Sequence, residues 1–256
     1  MKIIPVIDLQ NGVVVRGVAG QRDAYRPVQS QLTPSVEPDE VLRRLQQTYG
    51  LTDFYVADLD AIQRQRPDGC QLARLQQAEG TMYCDAGIRS LADALRIADL
   101  HVDQIVLGLE SLPSPQVAAE LLSAFGPERL VFSLDMHQSR PLRGGNLWPA
   151  EEIRDIFEMT ADMGFRQFLV LDLSTVGMAT GLSTLSVCRH IRHRLTDALV
   201  LCGGGVRTAS DLDAARQAGA DGVLVASALH QQTLRPAEVR RIQQGTDRTD
   251  RPTTAG

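Results

Sequence analysis

The chain has 256 residues, of which 43% are hydrophobic and 22% are charged. This composition is typical of a folded globular protein and excludes a mostly disordered or collagen-like chain. The net charge of −5 gives no electrostatic basis for binding nucleic acid, and no apolar run approaches the ~18 residues that a membrane helix needs. We therefore expect neither a nucleic acid nor a membrane as a partner.

Eight short apolar runs predict eight strands along the chain. Each run is nearly continuous rather than alternating, which is typical of parallel strands covered on both faces. The predicted strands are Ile3–Asp8, Phe54–Asp58, Thr81–Cys84, Gln104–Gly108, Leu130–Asp135, Gln167–Asp172, Ala198–Cys202 and Gly222–Ala226.

Amphipathic stretches between these runs predict helices. They lie near residues 38–45, Leu91–Asp99, Gln116–Phe125, Glu151–Met163, Leu185–Leu195, Asp211–Ala218 and Ala237–Gln243, with a further helix near Gln71–Glu79. Eight strand-then-helix units in ~250 residues is the count of a (β/α)8 TIM barrel, an α/β fold. We expect one such barrel over residues 1–244, followed by a disordered tail over 245–256.

An internal repeat favours a closed barrel over the competing open, doubly wound sheet. Residues 83–93 align with 201–211, and the strand at 104–108 aligns in the same register with 222–226. Two similar four-strand halves form one eight-strand barrel, whereas an open sheet gives no reason for such similarity.

The aligned segments also contain matching helix-start signals. Ser90 and Asp93 have the spacing of a capping box, and Thr208 and Asp211 have it too, with Asp in place of the usual Glu. Each pair predicts a helix that begins just after a glycine-containing turn.

Four predicted strands end in aspartate, at Asp8, Asp58, Asp135 and Asp172. Active sites of (β/α)8 barrels lie at the carboxyl ends of the strands. Asp8 and Asp135 end symmetry-related strands, so we expect them to face each other across the barrel mouth. Such a pair can be held at different pKa values, one as base and one as acid; the alternative is that each aspartate caps a loop or pairs with a basic side chain.

The ends of the seventh and eighth strands predict a phosphate site. Glycines allow a backbone to approach an anion, and a helix start supplies unpaired N–H groups. The residues concerned are Gly203, Gly204 and Gly205 after one strand, and Ala226 and Ser227 after the next. The alternative is that the three glycines only form a tight turn.

The corresponding positions of the first half are acidic. Asp85 precedes Ala86 and Gly87, and Glu110 follows the fourth strand. An acid near a phosphate costs roughly 3 kcal/mol per charge pair at ~6 Å and an effective dielectric constant of about 20. The first half is therefore predicted to be a poor phosphate site that meets a cation, an amine or a hydroxyl instead.

Two loops contain further candidates. In the first loop, Arg22, Tyr25 and Arg26 are predicted either to hold an anionic substrate or to form an ordinary surface. Trp148, the one tryptophan of the chain, follows the fifth strand and is predicted either to stack on a ligand ring or to pack in the core.

The amino terminus and the cysteines predict a cytoplasmic protein. The apolar stretch before Asp8 is too short for a secretory signal. No cysteine belongs to a C-x-x-C pair, so we expect reduced thiols and no metal. The cysteines are Cys70, Cys84, Cys188 and Cys202.

Several motifs resemble the histidine-biosynthesis barrel family, which contains ProFAR isomerase (HisA) and the cyclase of imidazole glycerol phosphate synthase (HisF). The similar segments are Ile4–Leu9 followed by Gly12-x-x-Val15-Arg16, Tyr55–Asp60, Ser133–Asp135 with Trp148, and Gly204–Val206. The opening segment is closest to the isomerase, and the half-barrel repeat is itself a trait of the family.

The resemblance implies an Amadori-type aldose–ketose isomerisation of a phosphorylated ribose derivative, with no cofactor and no metal. In that reaction Asp8 matches the general base that removes the proton from C2 of the sugar, and Asp135 matches the general acid that opens the ribose ring. The implied phosphate-binding residues are Gly204, Gly205, Ala226 and Ser227. The implied substrate-binding residues are Arg16, Arg22, Asp58, Asp85, Trp148 and Asp172.

The chain also departs from the isomerase pattern. Asp85 and Ala86 stand where the family has two glycines, and Leu109 stands where it has threonine. The segment after Asp172 lacks the arginine and second aspartate of the family motif. We therefore expect a divergent paralogue whose small phosphorylated substrate is ProFAR or a related monophosphate.

Three alternatives remain at this point. One is a different phosphosugar-type reaction in the biosynthesis of a one-carbon cofactor. Another is a cyclase of the HisF type, which takes ammonia from a glutaminase partner. The third is a non-catalytic protein that binds a phosphorylated ligand.

Overall fold

The computed structural model describes residues 1–64, 72–100 and 102–245. Cys70 and the predicted tail from residue 246 onward lie outside the described residues. No helix within the described residues is long and apolar enough to cross a membrane.

Eight parallel strands close into a barrel. Each strand pairs with its neighbour in chain order, and the last strand pairs with the first, with Ile3 opposite Val223. The closure confirms the (β/α)8 prediction and excludes the open sheet. The strands are β1 (Lys2–Gln10), β2 (Asp53–Asp58), β3 (Thr81–Asp85), β4 (Gln104–Gly108), β5 (Leu130–His137), β6 (Gln167–Asp172), β7 (Leu199–Gly203) and β8 (Gly222–Val225).

Helices connect the strands at most of the predicted places. They are α1 (Pro38–Tyr49), α2 (Leu59–Arg64), α3 (Leu91–Ala98), α4 (Pro115–Phe125), α5 (Ile153–Met163), α6 (Leu185–Arg194), α7 (Ala209–Gln217), α8 (Ser227–His230) and α9 (Pro236–Gln244). The sequence pattern did not reveal α2 or α8, because an element this short has too few turns to show a helical period.

The helix predicted near Gln71–Glu79 is largely wrong. The described part of this segment contains only a short 3-10 helix, Leu72–Leu75. Leu72 and Leu75 are both buried, so their three-residue spacing accounts for the apolar signal. The turn at residues 76–80 ends at Gly80, whose φ of +108° is unfavourable for other residues.

Side chains from all eight strands fill the interior of the barrel. One cluster includes a residue of each strand: Ile4, Tyr55, Tyr83, Val106, Val131, Leu169, Leu201 and Leu224. All eight are buried. The barrel is thus a packed core, and a ligand has access only to its ends.

A second core lies between the barrel and the helices. Phe132 of β5 meets Trp148 and Phe165 edge-to-face, with ring centroids 5.8 Å and 5.2 Å apart. Phe157 of α5 meets Phe168 of β6 in the same way at 5.1 Å. These aromatic contacts hold α5 against the fifth and sixth strands.

The first loop contains a hairpin that the sequence pattern did not predict. The short strand Val13–Arg16 runs antiparallel to the end of β1, with Val15 opposite Asp8, and Arg26–Pro27 pairs with its other edge. This hairpin rises from the carboxyl end of β1 and therefore stands directly beside the barrel mouth.

The repeated helix starts are confirmed. Asp93 accepts a hydrogen bond from the backbone N–H of Arg89 at 3.2 Å, and Asp211 accepts the equivalent bond from Arg207 at 2.9 Å. Asp211 also accepts one from the N–H of Thr208 at 2.9 Å. These carboxylates satisfy amides that have no partner within the helix.

We expect Asp211→Ala to lower the free energy of unfolding by about 1 kcal/mol, because two amides at the start of α7 lose their acceptor. Urea unfolding followed by circular dichroism measures this change. The matched control is Gln217→Ala, an exposed position on the same helix. Equal stability of both variants would contradict the capping role.

Candidate active site

A cavity opens at the carboxyl ends of the barrel strands, as expected for this fold. It is lined by most of the residues that the sequence singled out: Asp8, Arg16, Arg22, Asp85, Asp135, Gly204, Gly205, Ala226 and Ser227. Asp58, Trp148 and Asp172 are not among its lining residues.

Asp8 faces the cavity from the end of β1. Its carboxylate makes no hydrogen bond and no ion pair within the described residues. One carboxylate oxygen lies 3.2 Å from the position that a Cβ on Gly17 would take, beneath the first loop. Burial raises the pKa of Asp8 to about 7, although the positive charge of Arg22 lowers it. A carboxyl group with such a pKa can both accept and donate a proton near neutral pH.

Asp135 lies on β5, and both oxygens of its carboxyl group accept hydrogen bonds. The hydroxyl of Ser133 donates to one oxygen at 2.5 Å, and the backbone N–H of Glu110 donates to the other at 3.2 Å. Burial, with the nearby carboxylates of Glu110 and Asp85, raises the pKa of Asp135 well above its usual value. The surroundings of Asp135 therefore favour its protonated form.

Two more acids share the wall beside Asp135. Asp85 accepts a hydrogen bond from the N–H of Gly87 at 2.9 Å, and burial is the main cause that raises its pKa to about 6. Glu110 pairs with the guanidinium of Arg22. A Cβ on Gly108 would lie 3.1 Å from Asp135 Oδ2 and 3.2 Å from Asp85 Oδ2. We call Asp85, Glu110 and Asp135 the acidic wall.

The opposite side of the cavity consists of backbone and neutral side chains. Gly204 and Gly205 have φ values of +95° and +82°, and a Cβ on Gly205 would lie 2.5 Å from the carbonyl oxygen of Gly181. This turn therefore requires glycine. The first hydrogen bond of the turn into α8 runs from Leu229 N to Ala226 O at 3.0 Å, so the N–H groups before it have no intrahelical partner. We call Gly204, Gly205, Ala226 and Ser227 the amide wall.

The first and sixth loops close over the cavity above Asp8. Arg16 donates to the carbonyl oxygen of Gly177 at 3.2 Å, and Ala19 N donates to Val176 O at 2.8 Å. A Cβ on Gly177 would lie 2.1 Å from Gly17 O, so the two backbones touch. This cover limits access of water to Asp8.

Two of the strand-end aspartates have local roles. Asp58 accepts from the N–H of Ala61 at 3.0 Å, at the start of α2. Burial raises the pKa of Asp172, but hydrogen bonds from Ser174, Ser139 and Gln138 lower it more, so the net shift is downward. The structure thus places these two aspartates in the loop-capping role that we considered as the alternative.

Trp148 lies in the core. Its indole N–H donates to the carbonyl oxygen of Leu112 at 2.9 Å, and its side chain is 2% exposed. Of the two predicted roles, the structure shows core packing: the ring rests on Phe132, away from the cavity.

Several lining residues had no clear signal in the sequence. Tyr55 lines the floor of the cavity, and its hydroxyl donates to Asp85 Oδ2 at 3.5 Å. His230 lines the side next to the amide wall; its Nδ1 lies 3.1 Å from Ser30 Oγ, and burial lowers its pKa to about 4. Side chains alternate between the two faces of a strand, so Tyr55 and Ala57 of β2 point to the same face. Both residues line the cavity, and this alternation is the sequence signal that could have indicated Tyr55.

Within the described residues, no group of three or more His, Cys, Asp or Glu side chains is placed to hold a metal ion. The cavity brings together the carboxyl group of Asp8, the acidic wall and the amide wall. Proton transfer on a bound organic molecule is chemistry that these groups can perform.

The raised pKa of Asp8 predicts that the free energy of unfolding decreases as pH rises and Asp8 ionises. The stability contributed by neutral Asp8 is fully present below its unfolded pKa, near the ordinary value of 3.8, and is lost as pH rises through about 7. We therefore expect Asp8→Asn to gain stability relative to the unmodified chain between pH 5 and pH 8.

Urea unfolding at both pH values measures this difference. Glu151→Gln, which alters an exposed acid outside the cavity, provides the control and should show no comparable gain. A constant difference between Asp8→Asn and the unmodified chain would show that Asp8 is not desolvated.

Comparison with known proteins gives a consistent set of relatives. A family model described as "Histidine biosynthesis protein" matches residues 2–235. A 1-(5-phosphoribosyl)-5-((5-phosphoribosylamino)methylideneamino)imidazole-4-carboxamide isomerase of Lactiplantibacillus plantarum is 28% identical over 241 residues, covering 93% of this chain and 97% of the relative. The isomerase of the same name from Xylella fastidiosa is 30% identical over 244 residues, covering 89% and 84%. An uncharacterised protein of Methanocaldococcus jannaschii is 28% identical over 244 residues, covering 93% and 97%.

Proposed function

Because the chain belongs to the histidine biosynthesis protein family, we propose that it is an aldose–ketose isomerase acting on a phosphorylated ribose derivative. Asp8 is the general base and Asp135 is the general acid. The observation that carries this proposal is the placement of two carboxyl groups, half-buried Asp8 and buried Asp135, both with raised pKa values, around one cavity. The isomerase names of the relatives support the same reaction class.

The proposed reaction is an Amadori rearrangement of an aldosylamine. Protonated Asp135 donates its proton to the ring oxygen, the bond between that oxygen and C1 breaks, and a protonated imine forms at C1. Ionised Asp8 then removes the proton from C2, which gives an enaminol. Asp8 returns its proton to C1, and the proton lost from the C2 hydroxyl restores the protonated form of Asp135. The product is the aminoketose, and the net change is an internal shift of hydrogen from C2 to C1.

The surroundings of each carboxyl group support its assigned role. A general base works best when its pKa lies near the operating pH, and burial gives Asp8 a pKa of about 7. The general acid must keep its proton at that pH, and burial beside Glu110 and Asp85 favours the protonated form of Asp135. Hydrogen bonds from Ser133 and from Glu110 N hold that carboxyl group in place.

The amide wall is the proposed phosphate site. It combines the glycine turn after β7 with the exposed amides at the start of α8, next to the loops where barrels often bind phosphate. No acidic side chain belongs to this wall. We propose that this barrel forms one domain over residues 1–244 and carries the whole site.

We expect Asp8→Asn and Asp135→Asn each to reduce turnover of a phosphoribosyl-aminoimidazole substrate by a factor of at least about 100, which is the usual contribution of a general acid or base. The first substrate to assay by absorbance is the compound in the relatives' names. Glu151→Gln is the control with unchanged turnover, and circular dichroism shows that each variant folds.

The pH dependence of the unmodified chain provides a second readout. Its kcat/KM should rise as pH passes about 7, where Asp8 ionises. Arg22→Gln should move the rising limb to higher pH, since Arg22 lowers the pKa of Asp8. Full turnover in Asp8→Asn or Asp135→Asn would overturn the proposed roles, and tight binding without turnover would instead identify a non-catalytic binder.

The phosphate site has a separate test. Ser227→Asp places a negative charge at the amide wall, and we expect KM to increase by on the order of 100-fold, from repulsion at ~6 Å. Ser186→Asp, at an exposed position in the first turn of α6, is the matched control. An unchanged KM in Ser227→Asp would show that the phosphate binds elsewhere.

A further inference from the structure

We propose that the substrate has a single phosphate group, held at the amide wall, and that its opposite end presents amine or hydroxyl hydrogen-bond donors to the acidic wall. This inference rests on the proposed function and narrows its substrate class. It separates this chain from the relatives whose names describe a molecule with two phosphoribosyl groups.

The half-barrel repeat makes the two walls directly comparable. With the offset of 118 residues, Asp85, Ala86 and Gly87 correspond to Gly203, Gly204 and Gly205. Glu110 corresponds in the same way to Ala228, in the first turn of α8. The amides of Gly205 in the amide wall and of Ala228 next to it therefore have counterparts in the first half, at Gly87 and Glu110.

In the first half, carboxylates of the protein itself occupy these amides. The N–H of Gly87 donates to Asp85 Oδ1 at 2.9 Å, and the N–H of Glu110 donates to Asp135 Oδ2 at 3.2 Å. A phosphate at this wall would have to displace both carboxyl groups. The internal carboxylates thus take the place that an anionic ligand would need.

The charge at the acidic wall also disfavours a phosphate there. Two arginines line the cavity: the guanidinium of Arg22 is already paired with Glu110, and that of Arg16 donates to the carbonyl oxygen of Gly177 in the sixth loop at 3.2 Å. Arg89, just behind the wall, donates instead to the carbonyl oxygens of Gly87 and Ile62 at 2.6 Å and 3.0 Å. A second phosphate would therefore meet carboxylates without a free cation to balance its charge.

The acidic wall is instead rich in hydrogen-bond acceptors. Asp85 Oδ2 faces the same space as Asp135 Oδ2, since both lie within 3.2 Å of one point beside Gly108. Carboxylate oxygens accept hydrogen bonds from ammonium, amine and hydroxyl groups. The wall can therefore orient the uncharged or cationic end of a ligand whose phosphate binds across the cavity.

Equilibrium binding in the Asp8→Asn background tests this proposal without turnover. Calorimetry compares two probes: the compound with two phosphoribosyl groups in the relatives' names, and 5-amino-1-(5-phosphoribosyl)imidazole-4-carboxamide, which lacks the second phosphoribosyl arm and has an amine at that position. We expect the one-phosphate probe to bind at least as tightly as the two-phosphate probe.

Adding Asp85→Gly and Glu110→Gln to this background frees the Gly87 amide, removes one acid and neutralises another. We expect the two-phosphate probe to bind on the order of 10- to 100-fold more tightly in this variant, and the one-phosphate probe to bind at least threefold more weakly. Adding Glu151→Gln alone is the control for loss of an acid outside the cavity. Asp85→Asn, which keeps the side-chain volume, replaces Asp85→Gly if the latter fails to fold.

Tenfold tighter binding of the two-phosphate probe before the acidic wall is altered would overturn the inference. So would an altered wall that leaves both affinities unchanged. If the expected binding pattern is found but neither aspartate variant lowers turnover in the earlier assay, the single-phosphate inference stands and the proposed catalytic roles fail.

Discussion

The pairing of β8 with β1 is the constraint on which the site depends. Closure brings the carboxyl ends of all eight strands to one rim, so that Asp8 and Asp135, which are 127 positions apart in the chain, line the same cavity. Packed side chains fill the interior of the barrel below this rim. A ligand therefore binds at the carboxyl ends of the strands and not inside the barrel. An open sheet with the same strands would separate the two aspartates.

The cavity contains several carboxyl groups, although folded proteins rarely bury such groups. Burying a carboxyl group is unfavourable unless it is neutral or well bonded, and the raised pKa values of Asp8, Asp85 and Asp135 express that cost. Such a cost is common where catalytic groups are held ready for reaction. The proposed acid–base chemistry uses the same property, since burial raises the pKa of both Asp8 and Asp135.

The two half-barrels have kept their architecture and differ in their chemistry. Both have the same strand–turn–helix connection, with an aspartate that bonds the amide four residues before it. In the first half, the amide of Gly87 in the turn donates to the Asp85 side chain. The second half has Gly203 at the position of Asp85 and so has no such side chain. In our proposal, the second half thus offers amides to an anion and the first half offers acceptors to hydrogen-bond donors, on the same backbone plan.

The sequence by itself determined the eight strands, most of the helices, the closed barrel and the pair formed by Asp8 and Asp135. These features follow from local apolar pattern and from a repeat, which are both properties of the chain order. It also suggested that the first half suits phosphate poorly. It did not separate Asp58 and Asp172 from the aspartates of the cavity, since all four share one position relative to their strands. Only the tertiary structure decided which carboxyl groups face the cavity, that Trp148 packs in the core, and that Glu110 N bonds to Asp135. The physical reason is that these outcomes depend on side-chain direction and on contacts between distant segments, which no local pattern records.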